Sequence, residues 1–152
     1  MLQEATTKDA PAILAVMQAA FEEYRGKLDP PSGVHKENLE SVLEKLQSSQ
    51  VVLAIVEETV AGSVFYEIKD GYLHFGRLAV LPEFRRAGIG RALISYLEAK
   101  ARELALPGVR LGVRIVLDQL HTYYQRLGYR VIEYRSHQGY SDPTYLIMEK
   151  LL

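Results

Sequence analysis

Cysteine is missing altogether from this 152-residue chain. That excludes a disulfide framework, a thiolate metal site and a cysteine nucleophile, and it leans towards a reducing compartment. Long apolar runs are missing as well, since none approaches the ~20 residues of a membrane span. The opening stretch MLQEATTKDA has neither a basic n-region nor an apolar h-region, so nothing marks the chain for export and a cytoplasmic location is expected. Net charge is small, at −1 with a pI of 6.4, and no dense basic stripe interrupts it. Neither nucleic acid nor a membrane is therefore an expected partner. No His, Asp and Glu residues fall at metal-ligand spacing, so no metal is expected. Internal repeats, low-complexity tracts and dividing linkers are absent too, and residues 1–152 read as a single domain.

What is present is ordinary in bulk, with 48% apolar and 24% charged residues, which rules out disorder, collagen and coiled coil. A chain of this size buries roughly 70% of its unfolded surface, enough for a full core without staples. The charge is unevenly spread. Residues 1–70 hold 12 acidic and 6 basic side chains, whereas residues 71–152 hold 7 and 12. Chance and solvated faces account for such a split as readily as function does.

Periodicity divides the chain into short elements. Residues 2–6 read as a strand, and Thr7 as the cap of a helix over about 8–24, with Ile13, Leu14, Met17, Ala20, Phe21 and Tyr24 at helical spacing. The stretch Gly26–Gly33 is a loop by its turn chemistry, and a second helix is expected over about 36–48, with Leu39, Val42, Leu43 and Leu46 on one face. Val51–Val56 is a β-branched run, Glu57–Gly62 reads as a turn, and Ser63–Lys69 and Tyr72–Val80 pair across a tight Asp70-Gly71 hairpin. A helix over about 89–104 carries Ile89, Leu93, Ile94, Leu97 and Ala101 on one stripe. A strand Val109–Val116, a helix from Leu117 or Asp118 to Leu127 closed by Gly128, and strands Tyr129–Arg135 and Thr144–Lys150 complete the chain. The order β-α-α-β-β-β-α-β-α-β-β predicts an α/β fold built on a mixed sheet with helices on both faces.

The most informative stretch runs from Leu78 to Leu93. A strand ends, an Arg- and Gly-rich loop follows, and an amphipathic helix starts at once. Free N–H groups at a helix start, a positive dipole and glycines that permit close approach make an anion site, to which Arg85, Arg86 and Arg91 add charge. A Walker loop is excluded because Gly-Lys-Ser/Thr is absent. The dinucleotide fingerprint also fails, because Leu93 stands where a third small residue is needed.

Arg85-x-x-Gly88-x-Gly90, preceded by Leu78-Ala79-Val80-x-Pro82, closely resembles the acyl-CoA motif of the GNAT family of N-acetyltransferases. Downstream, Tyr123-Tyr124-Gln125-Arg126-Leu127-Gly128-Tyr129 resembles that family's later tyrosine-glycine-aromatic signature. The element order is similar as well, so the resemblance spans essentially the whole chain and implies an acyl-CoA N-acyltransferase fold. It implies that acetyl-CoA is the cosubstrate, that Leu78, Ala79 and Val80 present backbone to its pantetheine arm, and that Arg85, Arg86, Ala87, Gly88, Ile89, Gly90 and Arg91 hold its pyrophosphate. Gly76, inside a strand, fits either a nearby bulge or a plain packing glycine.

Moving an acetyl group from a thioester to an amine makes three demands. The ammonium must lose a proton, the oxyanion must be stabilised, and the departing thiolate must gain a proton. Tyr124 matches the family's tyrosine acid, and a phenol with pKa near ~10 is protonated at neutral pH. Packed on a stripe with Leu120 and Leu127, the same ring is equally a core residue. His74, four residues before Leu78, stands where relatives often place a base, with Glu67 or a water chain as competitors. His35, His121 and His137 have no comparable placement.

One departure stands out. Seven residues before the tyrosine many relatives carry Asn, whereas this chain has Leu117, and its neighbour Asp118 reads as a helix cap. The resemblance implies an N-acetyltransferase acting by direct attack on a small-molecule or peptide amine, the basic half meeting phosphates and the acidic half a cationic amine. A non-catalytic acyl-CoA-binding sensor or regulatory module is the alternative. The acceptor's identity, which Glu22, Glu23, Tyr24, Tyr140 and Asp142 would help to set, stays open, as does a homodimer.

Overall fold

The computed structural model describes all residues 1–152, and its element order is the mixed α/β one expected from the sequence. The strands are β1 (Leu2–Glu4), β2 (Gln50–Val56), β3 (Thr59–Lys69), β4 (Tyr72–Val80), β5 (Gly108–Arg114), β6 (Arg130–Arg135) and β7 (Tyr145–Leu151). The helices are α1 (Ala10–Phe21), α2 (Leu39–Lys45), α3 (Ile89–Glu103) and α4 (Asp118–Arg126). The strands form one sheet in the order β1-β2-β3-β4-β5-β7-β6, in which β4 and β5 run parallel.

Several boundaries differ from expectation, three of them for a clear local reason. The first helix begins at Ala10 because Pro11 has no N–H to donate to the carbonyl of Thr7. Residues Thr7–Asp9 form a 3-10 turn instead, capped not by Thr7 but by Thr6, and the Thr6 N–H donates to Asp9 Oδ2 at 2.8 Å. The second helix is shorter than its periodicity suggests. Asn38 Oδ1 accepts the Ser41 N–H at 2.8 Å while Ser41 Oγ accepts the Asn38 N–H at 2.9 Å, and this reciprocal cap fixes the start at Leu39. Of the face expected to be buried, Val42 is buried while Leu39 and Leu43 are exposed. The turn after β2 is only Glu57-Glu58, both left-handed at φ 48° and 68°, so Gly62 lies inside β3. Two glutamates give no hint of such a turn, which usually takes Asn-Gly. Asp70-Gly71, at φ 53° and 79°, behaves as expected.

The chain divides into two compact units. The first comprises Met1–Glu67 and Gly76–Leu97. Its core packs Ile13, Val16, Met17 and Ala20 of α1 against Val42, Val51, Leu53, Phe65 and Ala79. Truncating Ile13 or Met17, both fully buried, to Ala would cost about 2–5 kcal/mol. The second unit comprises Ile68–Phe75 and Glu98–Leu152. Register pairs Leu73↔Val109 and Phe75↔Leu111, then Leu111↔Met148 and Val113↔Leu146, place these buried side chains on one face. No helix is long and apolar enough to cross a membrane.

Candidate active site

In the first unit, β4 ends at Val80, a 3-10 turn covers Pro82–Phe84, and the Arg- and Gly-rich loop leads directly into α3. Arg86 and Gly88 are left-handed, at φ 67° and 79°, and these two reversals bring the loop to the helix start. Intrahelical bonding is first seen where Ala92 N–H donates to Gly88 O at 3.0 Å. The amides of Ile89, Gly90 and Arg91 thus precede any intrahelical acceptor and stand at the positive end of a 15-residue helix. A Cβ built on Gly88 would meet nothing within 4 Å, so the space beside these amides is open. Arg86, Ala87 and Arg91 are exposed, whereas Ile89 is buried and seats the helix start. Open amides, an unshielded glycine and two exposed guanidinium groups fit a diphosphate.

Arg85 does something else. Its guanidinium pairs with the Glu23 carboxylate and donates to the Ala20 carbonyl at 3.1 Å, tying the loop to the end of α1. Its charge is thereby matched within the unit. Glu22 is likewise paired, with Arg25 at 2.9 Å, and that bond holds its carboxyl below the usual range. The acidic cluster at the end of α1 is therefore committed to internal partners.

Gly62 is a positioning residue that sequence reading placed in a turn. A Cβ there would sit 2.9 Å from Ile89 Cγ2, 3.0 Å from the Ala79 carbonyl and 3.4 Å from Leu93 Cδ1. A glycine between Val60 and Val64, within a run of strand-forming residues, was the available signal. Along β4, Ala79 packs in the α1 core while Leu78 and Val80 are partly exposed. Arg77, within β4, is left-handed at φ 52°. Gly76 directly precedes it, and nothing lies within 4 Å of a Cβ built on this glycine, so it is not a packing glycine.

In the second unit, Tyr124 of α4 is 5% exposed. Its ring lies 6.2 Å from Phe75, 5.2 Å from Tyr123 and 6.1 Å from Tyr129. The Tyr129 hydroxyl donates to Glu98 Oε2 at 2.8 Å, and Lys150 Nζ reaches Glu98 Oε1 at 3.1 Å. Burial and the Glu98 carboxylate push the Tyr129 phenol far up, so it stays a donor. Lys150 reaches Glu98 by crossing Gly128, which is left-handed at φ 99° and whose Cβ would lie 3.2 Å from Lys150 Cε.

His74 pairs in register with Arg110 of β5, and its Nε2 is buried without a hydrogen-bond partner. Burial first, then the Arg110 charge, hold its imidazole below the ordinary 6.5, so it is neutral at pH 7. Being adjacent in the strand, His74 and Phe75 project to opposite faces, and Tyr124 lies on the Phe75 side. His121 Nε2 donates to the Arg114 carbonyl at 2.8 Å, and His137 Nδ1 is bonded to Thr144 Oγ1, so both are structural. Leu117 is itself the residue capping α4, with no side-chain bond. Asp118 is the first helical residue, its side chain 93% exposed, and the expected Asp118 cap is not formed. A carboxylate in a first turn still interacts favourably with the helix dipole. No group of three His, Asp or Glu side chains is placed to hold a metal ion.

Known structures share this fold along the whole chain. The ribosomal-protein-alanine N-acetyltransferase from Brucella melitensis is 22% identical at a TM-score of 0.78, covering 100% of this chain and 99% of its own. The PaiA N-acetyltransferase from Thermoplasma acidophilum, solved in complex with coenzyme A, is 18% identical at 0.82, with 100% and 99% covered. A GNAT-family acetyltransferase from Streptococcus pneumoniae is 17% identical at 0.77, again with 100% and 99% covered. A family model described as the acetyltransferase (GNAT) domain matches residues 47–131, more than half of the sequence, and the chain belongs to the GNAT family of acetyltransferases.

Proposed function

We propose that residues 1–152 form a single N-acetyltransferase domain that moves an acetyl group from acetyl-CoA to a primary amine by direct attack in a ternary complex. One observation carries this reading: the open amides from Arg86 to Arg91, with Gly88 left-handed and unshielded among them. Bound acetyl-CoA supplies the activated acetyl thioester. The chain's own groups do the rest. The loop amides, with Arg86 and Arg91, hold the diphosphate, while the Leu78 and Val80 backbone takes the pantetheine arm as a neighbouring strand would. Arg85 acts on the loop through its tie to Glu23 and Ala20.

His74 takes the proton that the attacking ammonium must lose. Its depressed pKa keeps the imidazole neutral and able to accept a proton at pH 7. Tyr124 gives a proton to the departing thiolate. The attacking nitrogen and the departing sulfur are bonded to one carbon in the tetrahedral intermediate, so His74, which projects to the face opposite Tyr124, takes the nitrogen's proton through a water chain and not by direct contact. The acceptor is a small-molecule or peptide amine.

Titration calorimetry with coenzyme A tests the carrying observation. Gly88→Glu places a carboxylate beside the amides and should abolish binding, whereas Gly88→Asn, which tolerates the left-handed backbone, should fold normally and keep measurable binding. Equal affinity in wild type and Gly88→Glu would put the site elsewhere. Free-thiol release from acetyl-CoA across a panel of amines then separates an enzyme from a sensor, which would bind and release nothing.

A further inference from the structure

Arg77 carries a left-handed backbone although glycine, which adopts it freely, is the residue immediately before it. Something must hold an arginine there. Its guanidinium forms a partly buried ion pair with Glu37, whose side chain is 5% exposed. Glu37 is in turn fixed from several sides. Its Oε1 accepts from Ser41 Oγ at 2.6 Å, Lys45 Nζ lies 3.6 Å from Oε2, and its backbone carbonyl accepts from Gln18 Nε2 of α1 at 3.1 Å. The guanidinium also runs so close to Gly33 that a Cβ there would lie 2.9 Å from Nη2. Gly33 and Glu37, the latter braced by Ser41 and Lys45 of α2, thus receive one side chain from β4.

That side chain belongs to the residue directly before Leu78, so its anchor sets where the Leu78–Val80 backbone begins. We propose that Arg77, held by Glu37, is a positioning residue that fixes the left-handed backbone within β4 and thereby pre-sets the Leu78–Val80 backbone for the pantetheine arm. The role rests on the acetyl-CoA reading above. It separates two contributions, a backbone conformation and a side-chain anchor, and only the anchor is specific to Arg77 and Glu37.

The test compares Arg77→Gly, Arg77→Lys, Glu37→Gln and the paired replacement Arg77→Met with Glu37→Leu. Arg77→Gly keeps the left-handed backbone and loses the anchor, while the pair removes both charges and strands neither. Coenzyme A affinity is read by calorimetry, and amide hydrogen exchange at Leu78–Leu81 is read in the ligand-free protein. Arg77→Gly, Glu37→Gln and the paired variant should weaken coenzyme A by roughly tenfold to a hundredfold, as loss of a pre-set geometry does. They should exchange faster at these amides and keep kcat at saturating acetyl-CoA, while Arg77→Lys recovers part of the affinity. Wild-type affinity and exchange in a folded Arg77→Gly or paired variant would overturn the anchor. A wild-type protein that binds no coenzyme A would instead remove the reading beneath it, a result visible before any variant is made.

Discussion

Replacing Gly62 by alanine adds one methyl group where three atoms already converge. The new Cβ would meet Ile89 Cγ2 at 2.9 Å, the Ala79 carbonyl at 3.0 Å and Leu93 Cδ1 at 3.4 Å. The first two contacts are closer than carbon and oxygen radii allow, and neither partner yields easily. Ile89 is β-branched and buried at the first turn of α3, and the carbonyl is strand backbone. Overpacking of this kind costs about 1–3 kcal/mol. At this chain length each kcal/mol lowers Tm by roughly 2–4 °C, so a fall of roughly 2–12 °C is expected. The strain also has a direction. Pushing Ile89 outward displaces the helix start whose amides form the proposed anion cradle, so coenzyme A should weaken by about threefold to tenfold, equivalent to ~0.7–1.4 kcal/mol.

Gly76→Ala is the matched control, because a Cβ there meets nothing within 4 Å and the backbone is not left-handed. It should leave Tm unchanged or raise it slightly, since alanine restricts the unfolded chain by about 0.4–1 kcal/mol. Thermal unfolding and calorimetry on both variants give the answer. If Gly62→Ala melts with wild type, the close approach is refuted. If it melts early but binds normally, Gly62 supports the fold without setting the loop.

Two further outcomes concern the chemistry. Tyr124→Phe keeps the ring against Phe75 and Tyr129, so stability should move by no more than about 1 kcal/mol while kcat falls by ~10–10³-fold; a stable, fully active variant would reduce Tyr124 to packing. His74 titrates below 6.5 when folded and near ~6.5 when unfolded, so the unfolded chain binds more protons in that interval and stability rises with pH across it. His74→Gln should flatten that slope in urea melts at pH 5–7, whereas His74→Ala should lower kcat by ~10²–10⁴-fold with coenzyme A binding intact. A rate loss under about threefold would assign the base role to Glu67 or a water chain without His74.

Much of this architecture is local chemistry and therefore readable in one dimension. The Asp70-Gly71 hairpin, the apolar stripe of α3 and the Gly128 stop after α4 each need only a few neighbouring residues to be recognised. The anion loop belongs to the same class, because strand end, glycine and helix start are contiguous. Boundaries were less legible where one backbone atom decides, as with the missing N–H of Pro11, or where an atypical pair such as Glu57-Glu58 makes a tight turn.

Charge is where the linear reading is least informative. The acidic first half suggested a surface waiting for a cationic amine, yet Glu22, Glu23 and Glu37 each hold an arginine of the same unit. Two of those arginines lie 40 and 62 positions away in sequence, a separation at which no motif or period gives a signal. The same holds for Glu98, which binds Tyr129 and Lys150 from 31 and 52 positions away. A carboxylate already held by a guanidinium offers little field to a substrate, because its charge is matched at contact distance and further screened by solvent beyond about 10 Å. Those three carboxylates therefore contribute little to attracting a cationic amine. Two of the six surplus acidic charges of residues 1–70, at Glu37 and Glu23, thus hold Arg77, which directly precedes the Leu78–Val80 backbone, and Arg85, within the loop proposed to bind the cofactor.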